Sequence, residues 1–155
     1  MMRLRPAREE EIAALWALRT RALAHACPGH YAQAVLDVWL PAPAPGSMSR
    51  LVAAGSALVA EEAGRVLGYT ALDLARGEVD ALFVEPGEHG RGIGALLLTA
   101  CEDLARAAGG TRLYLSASLN AVPFYRRAGF ISLGEELYAH HSGIGIPSVL
   151  MEKHL

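Results

Sequence analysis

Hydrophobic residues in the first third of the chain recur at helical spacing. In Arg8–Ala24, apolar side chains lie three and four positions apart, which predicts an amphipathic helix. A shorter pattern of the same kind covers Ala32–Trp39, and Pro41–Ser47 after it is predicted to be a polyproline-like loop. A short strand is predicted ahead of the first helix, at Arg3–Arg5.

The middle third changes to the period of β-strands. Runs at Ala57–Glu61, Val66–Leu74 and Glu78–Val84 are separated by turns that contain Gly64 and Gly77. Because the connections are short, the three runs predict an antiparallel meander.

The last third begins with a strong helical pattern that ends in a pair of glycines, as helices commonly do. The elements predicted there are a helix at Ala95–Ala108, a strand at Arg112–Ala117, a short helix at Ala121–Ala128, and a final strand pair at Phe130–Ala139 and Ser148–Lys153. A helix between two strands indicates a right-handed parallel β-α-β unit. We therefore expect an α/β (α+β) fold in one domain, residues 1–155. Its single twisted sheet of about six to seven strands should be mixed, mostly antiparallel and flanked by helices.

Composition narrows the classes of function. Hydrophobic residues make up 52% of the 155 residues and charged residues 19%, which argues against disorder. The net charge of −2 lacks the basic surplus typical of nucleic-acid binding, and anionic membranes are disfavoured for the same reason. Without a signal-peptide pattern, the expected location is the cytoplasm, where Cys27 and Cys101 should stay reduced.

The most informative segment is a glycine-rich turn between a strand and a helix. Gly90, Gly92 and Gly94 alternate directly before the helical pattern, where free backbone N–H groups and the helix dipole favour phosphate. A Walker loop is excluded because Ile93 stands where lysine is needed. A dinucleotide fingerprint could be counted to Ala95, but the strand is the third of a meander rather than the first. A plain turn without a ligand is the alternative.

Two motifs resemble one enzyme superfamily. His89-Gly90-Arg91-Gly92-Ile93-Gly94 resembles the pyrophosphate loop of the GNAT N-acetyltransferases, Gln/Arg-x-x-Gly-x-Gly/Ala, with His89 as a departure. About thirty residues later, the segment from Asn120 through Tyr125 to Gly129-Phe130 resembles the superfamily's Asn-x-x-x-x-x-Tyr-x-x-x-Gly-Phe pattern. The motif order and the predicted strand order both fit the superfamily over nearly the whole chain.

The resemblance implies acetyl-CoA as cosubstrate, direct acetyl transfer to an amine, and no metal. It implies that strand backbone, loop amides and two later side chains contact the coenzyme: Leu82, Phe83, Val84, His89, Gly90, Arg91, Gly92, Ile93, Gly94, Ala95, Asn120 and Phe124. The acceptor is expected to be a small-molecule amine or a protein amino group. The residues leave the oligomeric state open, and the resemblance allows a homodimer because many members of the family dimerise.

Three residues are candidates for acid and base chemistry. Tyr125 could protonate the leaving thiolate, since a phenol with a pKa near 10 is a suitable donor. Glu78 and Asp80 lie two apart on one strand, face one side, and should raise each other's pKa. Either could be the general base, and both could instead bind a cationic amine. A non-catalytic acyl-CoA sensor of the same fold is the alternative function.

The resemblance also places the acceptor between the first two helices and the last strands. The candidate side chains for contact with the acceptor are Trp16, His30, Tyr31, Trp39, Tyr138, His140 and His141. Cys27 and His30 have half the spacing of a zinc site, but no second pair is evident. Adjacent His140 and His141 are expected on opposite sides of a strand, and we therefore expect no metal.

Overall fold

A computed structural model describes residues 1–155 and contains seven β-strands in one sheet. The strands are β1 (Met2–Pro6), β2 (Ala57–Glu62), β3 (Arg65–Asp73), β4 (Glu78–Val84), β5 (Arg112–Ser118), β6 (Ile131–Ala139) and β7 (Gly145–His154). Their order across the sheet is β1-β2-β3-β4-β5-β7-β6. All neighbours are antiparallel except β4 and β5, which are parallel, so the predicted mixed sheet with one parallel unit is confirmed.

Five helices cover the two faces of the sheet. They are α1 (Ile12–Ala26), α2 (Gln33–Trp39), α3 (Gly46–Ala53), α4 (Ile93–Ala107) and α5 (Val122–Arg127). Single 3₁₀ turns at Glu9–Glu11 and Leu119–Ala121 precede α1 and α5. Pro123 at the start of α5 suits a first helical turn, where the missing N–H is not needed.

Each face of the sheet buries its own apolar cluster. On one face, α4 and α5 pack Leu98, Cys101 and Tyr125 against strand residues such as Leu113 and Met151. On the other face, α1 and α3 pack on β2 and β3, with α2 and β7 forming an adjoining cluster. Two layers of helix around one sheet give the chain a continuous core on both sides.

The parallel pair in the middle of the sheet opens almost at once. Glu78 pairs with Tyr114, and the Tyr114 N–H donates to the Gly77 carbonyl at 2.9 Å, but no later residue of β4 pairs with β5. On its other side β4 stays paired with β3 through Val84. One edge of β4 is therefore left without a strand partner inside the sheet.

The element boundaries differ from the sequence prediction by up to four residues, as at α1, which starts at Ile12 and not at Arg8, and one helix was not predicted. The segment predicted as a loop to Ser47 turns into helix α3 at Gly46, because Met48, Leu51 and Val52 bury against the sheet. Helix α4 starts at Ile93, two residues before the predicted Ala95, and β7 starts at Gly145 instead of Ser148. No helix of the chain is long and apolar enough to cross a membrane.

Candidate active site

A cavity of about 360 Å³ lies where β4 and β5 separate. Its walls come from α1, α2 and α3 on one face, from the opened strands, and from the chain around the β6–β7 turn. Tyr125 belongs to the opposite face of the sheet but also lines the cavity, so the opening between the strands connects the two faces.

The turn before α4 presents a run of free backbone donors. None of the N–H groups from His89 to Ala95 donates a hydrogen bond within the protein. Gly90 and Gly92 have φ of +84° and +75°, and Gly92 is the N-cap of α4. Positive φ at these positions requires glycine and turns successive N–H groups outward. Together with the positive end of the α4 dipole, they form a site suited to a pyrophosphate.

The side chains of this turn are engaged elsewhere. Arg91 donates to Glu88 at 2.9 Å and to Glu62 at 2.8 Å, which ties the turn to the end of β2. The His89 ring stacks on His25 of α1, with centroids 6.0 Å apart. Only the backbone N–H groups of these two residues are free to face a ligand.

The other predicted coenzyme contacts surround the opening. Leu82, Phe83 and Val84 form the part of β4 that has lost its β5 neighbour, so their free backbone edge can pair with an extended ligand. Gly94 lets α4 approach α5 closely, because a Cβ there would lie 3.1 Å from the Phe124 ring. Phe124 thus packs where the loop and α5 meet.

Asn120 lies in the turn before α5 and contacts the residue that follows α1. Its Oδ1 accepts a hydrogen bond from the buried Cys27 thiol at 3.4 Å, while its amide group donates to no protein acceptor. The amide donor of Asn120 is therefore free for a ligand.

Tyr125 is buried but free at its hydroxyl. Its ring packs edge-on against Phe124 and Phe130, at 5.1 and 5.7 Å between centroids, and the hydroxyl makes no hydrogen bond with the protein. Burial raises the pKa of Tyr125 above its ordinary value, and the nearby Cys101 adds to the rise. The phenol therefore stays protonated at neutral pH.

Glu78 and Asp80 both line the cavity, as do the residues between and after them on β4. Burial is the largest cause of the raised pKa of each carboxyl. Asp80 raises the pKa of Glu78 further, whereas the second cause for Asp80 is Asp73 and not Glu78. Asp80 is exposed to solvent, but it lies in the concave wall of the cavity, where many protein atoms surround its carboxylate. This partial burial is what raises its pKa. Mutual repulsion is therefore a smaller cause than the sequence suggested.

The predicted acceptor residues come together except for one. Trp16, Tyr31, Trp39, Tyr138, His140 and His141 all line the cavity, whereas His30 is exposed outside it. The rings of His140 and His141 lie 4.1 Å apart, so the expectation that they face opposite sides is wrong. The strand ends at Ala139, and the alternation of side chains ends with it.

Sequence reasoning missed three polar residues of the cavity wall. Arg19, Tyr69 and Ser148 all line it and are almost completely buried. A polar residue at an apolar position of a helix or strand was the only available signal. No group of three or more His, Cys, Asp or Glu side chains is arranged to hold a metal ion.

Comparison with known proteins agrees with this geometry. The family described as the acetyltransferase (GNAT) domain matches residues 28–155. The chain belongs to this family, so the superfamily predicted from the two motifs is confirmed.

One curated relative is similar over part of its length. An IAA acetyltransferase of Azospirillum brasilense is 38% identical over 84 residues, which is 50% of this chain and 55% of the relative. The match thus spans about half the length of that protein.

Solved structures share the fold across the whole chain. A GCN5-related N-acetyltransferase of Rhodopseudomonas palustris superposes with a TM-score of 0.87 and 26% identity, covering 99% of this chain and 95% of that one. The PaiA N-acetyltransferase of Thermoplasma acidophilum, solved with coenzyme A, gives a TM-score of 0.75 at 16% identity, with 100% and 99% covered. Arabidopsis thaliana Naa50, solved with a CoA-Ac-MVNAL bisubstrate analogue, gives 0.72 at 20%, with 99% of each covered. The last two show the fold alone.

Proposed function

We propose that the protein is an acetyl-CoA-dependent N-acetyltransferase that transfers the acetyl group directly to a primary amine of a small molecule or protein. The observation that carries this proposal is the free N–H run from His89 to Ala95 beside the open edge of β4. The first feature suits a pyrophosphate, and the second suits the extended arm of a coenzyme.

Tyr125 acts as the proton donor in this proposal. Acetyl-CoA supplies an activated thioester, and attack by the amine breaks its carbon–sulfur bond and releases a thiolate. The Tyr125 hydroxyl is free of protein partners, lines the same cavity and stays protonated because of burial. It therefore donates its proton to the thiolate and is reprotonated from solvent.

Glu78 or Asp80 acts as the proton acceptor. An ammonium ion must lose one proton before attack, and the attached nitrogen must lose a second as the amide forms. A carboxyl whose pKa is raised by burial is a better base near neutral pH than one in free solution. Since both carboxyls lie on the cavity wall, either can take the proton directly or through water.

Thiol release tests the activity. The purified protein is given acetyl-CoA with amines of several classes, and free thiol is measured over time against a reaction without amine. Amine-dependent thiol release with formation of the matching acetamide supports the enzyme. Tight binding of acetyl-CoA without acetylation of any amine would instead identify a non-catalytic acyl-CoA sensor.

Location and assembly complete the proposal. We propose a cytoplasmic enzyme, in keeping with two buried free cysteines. We also propose a homodimer, since β6 exposes Ile131, Leu133 and Leu137 at the edge of the sheet. Sedimentation velocity measures the assembly, and a single monomeric species at micromolar concentration would refute the dimer.

A further inference from the structure

Two buried hydroxyls in the cavity have no hydrogen-bond partner. Tyr69 is 1% exposed and Ser148 is 4% exposed, and neither Tyr69 Oη nor Ser148 Oγ contacts a donor or acceptor. A buried polar group left in this state costs about 1–3 kcal/mol. Since both residues line the cavity, a molecule that enters it can supply the missing hydrogen bonds.

Two aromatic side chains of the wall, Trp16 and Tyr31, in contrast have their polar atoms already engaged. Trp16 Nε1 donates to the Ala42 carbonyl at 2.8 Å. Tyr31 Oη donates to the Pro147 carbonyl at 2.6 Å and accepts from the Leu119 N–H at 2.9 Å. These side chains therefore present only ring surface to the cavity, which favours a flat apolar body.

Negative charge is concentrated at one part of the wall. Neither Glu78 nor Asp80 forms a hydrogen bond or an ion pair with a protein group, although both line the cavity. The neighbouring Arg50 instead pairs with Asp73 at 3.3 Å. Arg76 attracts both carboxylates and Arg50 attracts Asp80, but neither arginine bonds to either carboxylate. Two carboxylates without a bonded counter-ion favour a cationic group in front of them.

Positive charge limits how far such a cation can extend. The guanidinium of Arg19 lies 4.3 Å from the Trp16 ring centroid and donates at 2.9 Å to the carbonyls of Trp39 and Leu40, at the end of α2. Because Arg19 also lines the cavity, a second cationic group on a ligand would be repelled there.

The turn between β6 and β7 closes this side of the cavity. His141 packs edge-on against Trp16, with centroids 6.2 Å apart, and its ring contacts the Pro43 carbonyl. Burial lowers the pKa of the adjacent His140 to about 4, so the His140 ring adds no charge at neutral pH. A cavity of about 360 Å³ that also admits a thioester leaves little room for a polypeptide.

We propose that the acceptor is a small monocationic primary amine with an aromatic body and a neutral hydrogen-bonding group, its ammonium held by Glu78 and Asp80 and its neutral group by the Tyr69 and Ser148 hydroxyls. This inference rests on the acetyltransferase activity proposed above. It selects a free small molecule over a protein amino group and over a polycationic amine.

A panel of acceptors tests this selection. The panel contains tyramine, its meta-hydroxy isomer, phenethylamine, spermidine and an unstructured peptide with a free α-amine. The better of the two hydroxylated amines is expected to exceed phenethylamine about tenfold in kcat/KM, as one added hydrogen bond predicts. The kcat/KM values of spermidine and the peptide are expected to be about a hundredfold below that of the better hydroxylated amine.

Two substitutions test the recognising hydroxyls. In Tyr69→Phe and in Ser148→Ala, the kcat/KM ratio of the hydroxylated amine to phenethylamine should fall toward one. The matched controls are Tyr114→Phe and Ser132→Ala, which lie outside the cavity and should keep the wild-type ratio. Since the Tyr69 hydroxyl makes no protein hydrogen bond, the phenylalanine variant is expected to fold, and its melting temperature checks this.

The outcomes separate the two proposals. If the peptide or spermidine releases thiol faster than every aromatic amine, the acceptor inference is wrong while the activity stands. An unchanged substrate ratio in both folded cavity variants would remove Tyr69 and Ser148 from recognition and overturn the inference. Absence of amine-dependent thiol release across the whole panel overturns the activity and the inference together.

Discussion

Substitution of Gly92 by valine tests the anion site most directly. Gly92 has φ +75° and ψ +15° at the N-cap of α4, and a Cβ there would meet no atom within 4 Å. Space therefore does not exclude a side chain from the free protein. The left-handed backbone at this position instead disfavours any L-residue other than glycine, and it lowers the free energy of unfolding by roughly 1–2 kcal/mol. For a chain of this length, that predicts a fall in melting temperature of about 2–8 °C.

The effect on acetyl-CoA should be larger than this strain alone explains. A valine side chain would occupy the open space in front of the free N–H groups, where we place the pyrophosphate. Each hydrogen bond to a charged group contributes about 1.5–3 kcal/mol. Loss of a single one raises the dissociation constant of acetyl-CoA at least about tenfold. Isothermal titration calorimetry measures this constant.

Gly55 provides the matched control. It has the same φ of +75°, and a Cβ there would also meet nothing within 4 Å. Gly55 precedes the first residue of β2, whereas the Arg91–Glu62 ion pair ties the turn at Gly92 to the last residue of β2. The two glycines are therefore at opposite ends of that strand. Gly55→Val should therefore lose similar stability and keep wild-type affinity. Wild-type affinity in folded Gly92→Val, or equal weakening in both variants, would refute the assigned pyrophosphate site.

Four further substitutions test the catalytic and structural assignments. Tyr125→Phe should lower turnover far more than acetyl-CoA affinity, and equal kinetics would exclude Tyr125 as the proton donor. A general base must be deprotonated to act, so kcat/KM should rise with pH through the raised pKa of the carboxyl that acts as base. This rise should disappear in only one of the variants Glu78→Gln and Asp80→Asn, and that variant identifies the base. Arg5 lowers the pKa of Glu11 to about 2 in the folded protein. The Arg5–Glu11 pair therefore stabilises the fold at pH values above the pKa of Glu11 in the unfolded chain, and this stabilisation is lost as the pH falls toward 2. Acid unfolding monitored by circular dichroism should show a smaller loss in Glu11→Gln than in the wild type.

Long periodic segments were predicted well because burial on one face imposes the period directly. The helix expected at Ala95–Ala108 is found at Ile93–Ala107, and its buried positions Leu97, Leu98 and Cys101 follow the apolar stripe. The strand expected at Glu78–Val84 has those same bounds. In such segments local preference and tertiary packing agree, so the sequence alone identifies the element.

Helix α3 could not be predicted in the same way. It has eight residues and starts directly after a proline-rich stretch, and isolated helices this short are marginal in water. Its stability comes from Met48, Leu51 and Val52 packing on the sheet, a contact between distant parts of the chain. Tyr69 and Ser148 were missed for a related reason, because strand periodicity reports which face is buried and not whether a buried hydroxyl has a partner.

The opening between β4 and β5 also has its origin in a local irregularity that alternation does not reveal. Ala71 pairs with Ala81 and Leu72 with Val79, so Asp80 is an extra residue of β4 without a partner on β3. An extra residue of this kind bends its strand and increases the local twist. The last pairing of β4 with β5 is at Glu78, directly before this bulge. We infer that the bulge turns β4 away from β5 and at the same time sets the Asp80 carboxyl on the cavity wall. The free strand edge and one of the two candidate bases thus follow from a single inserted residue.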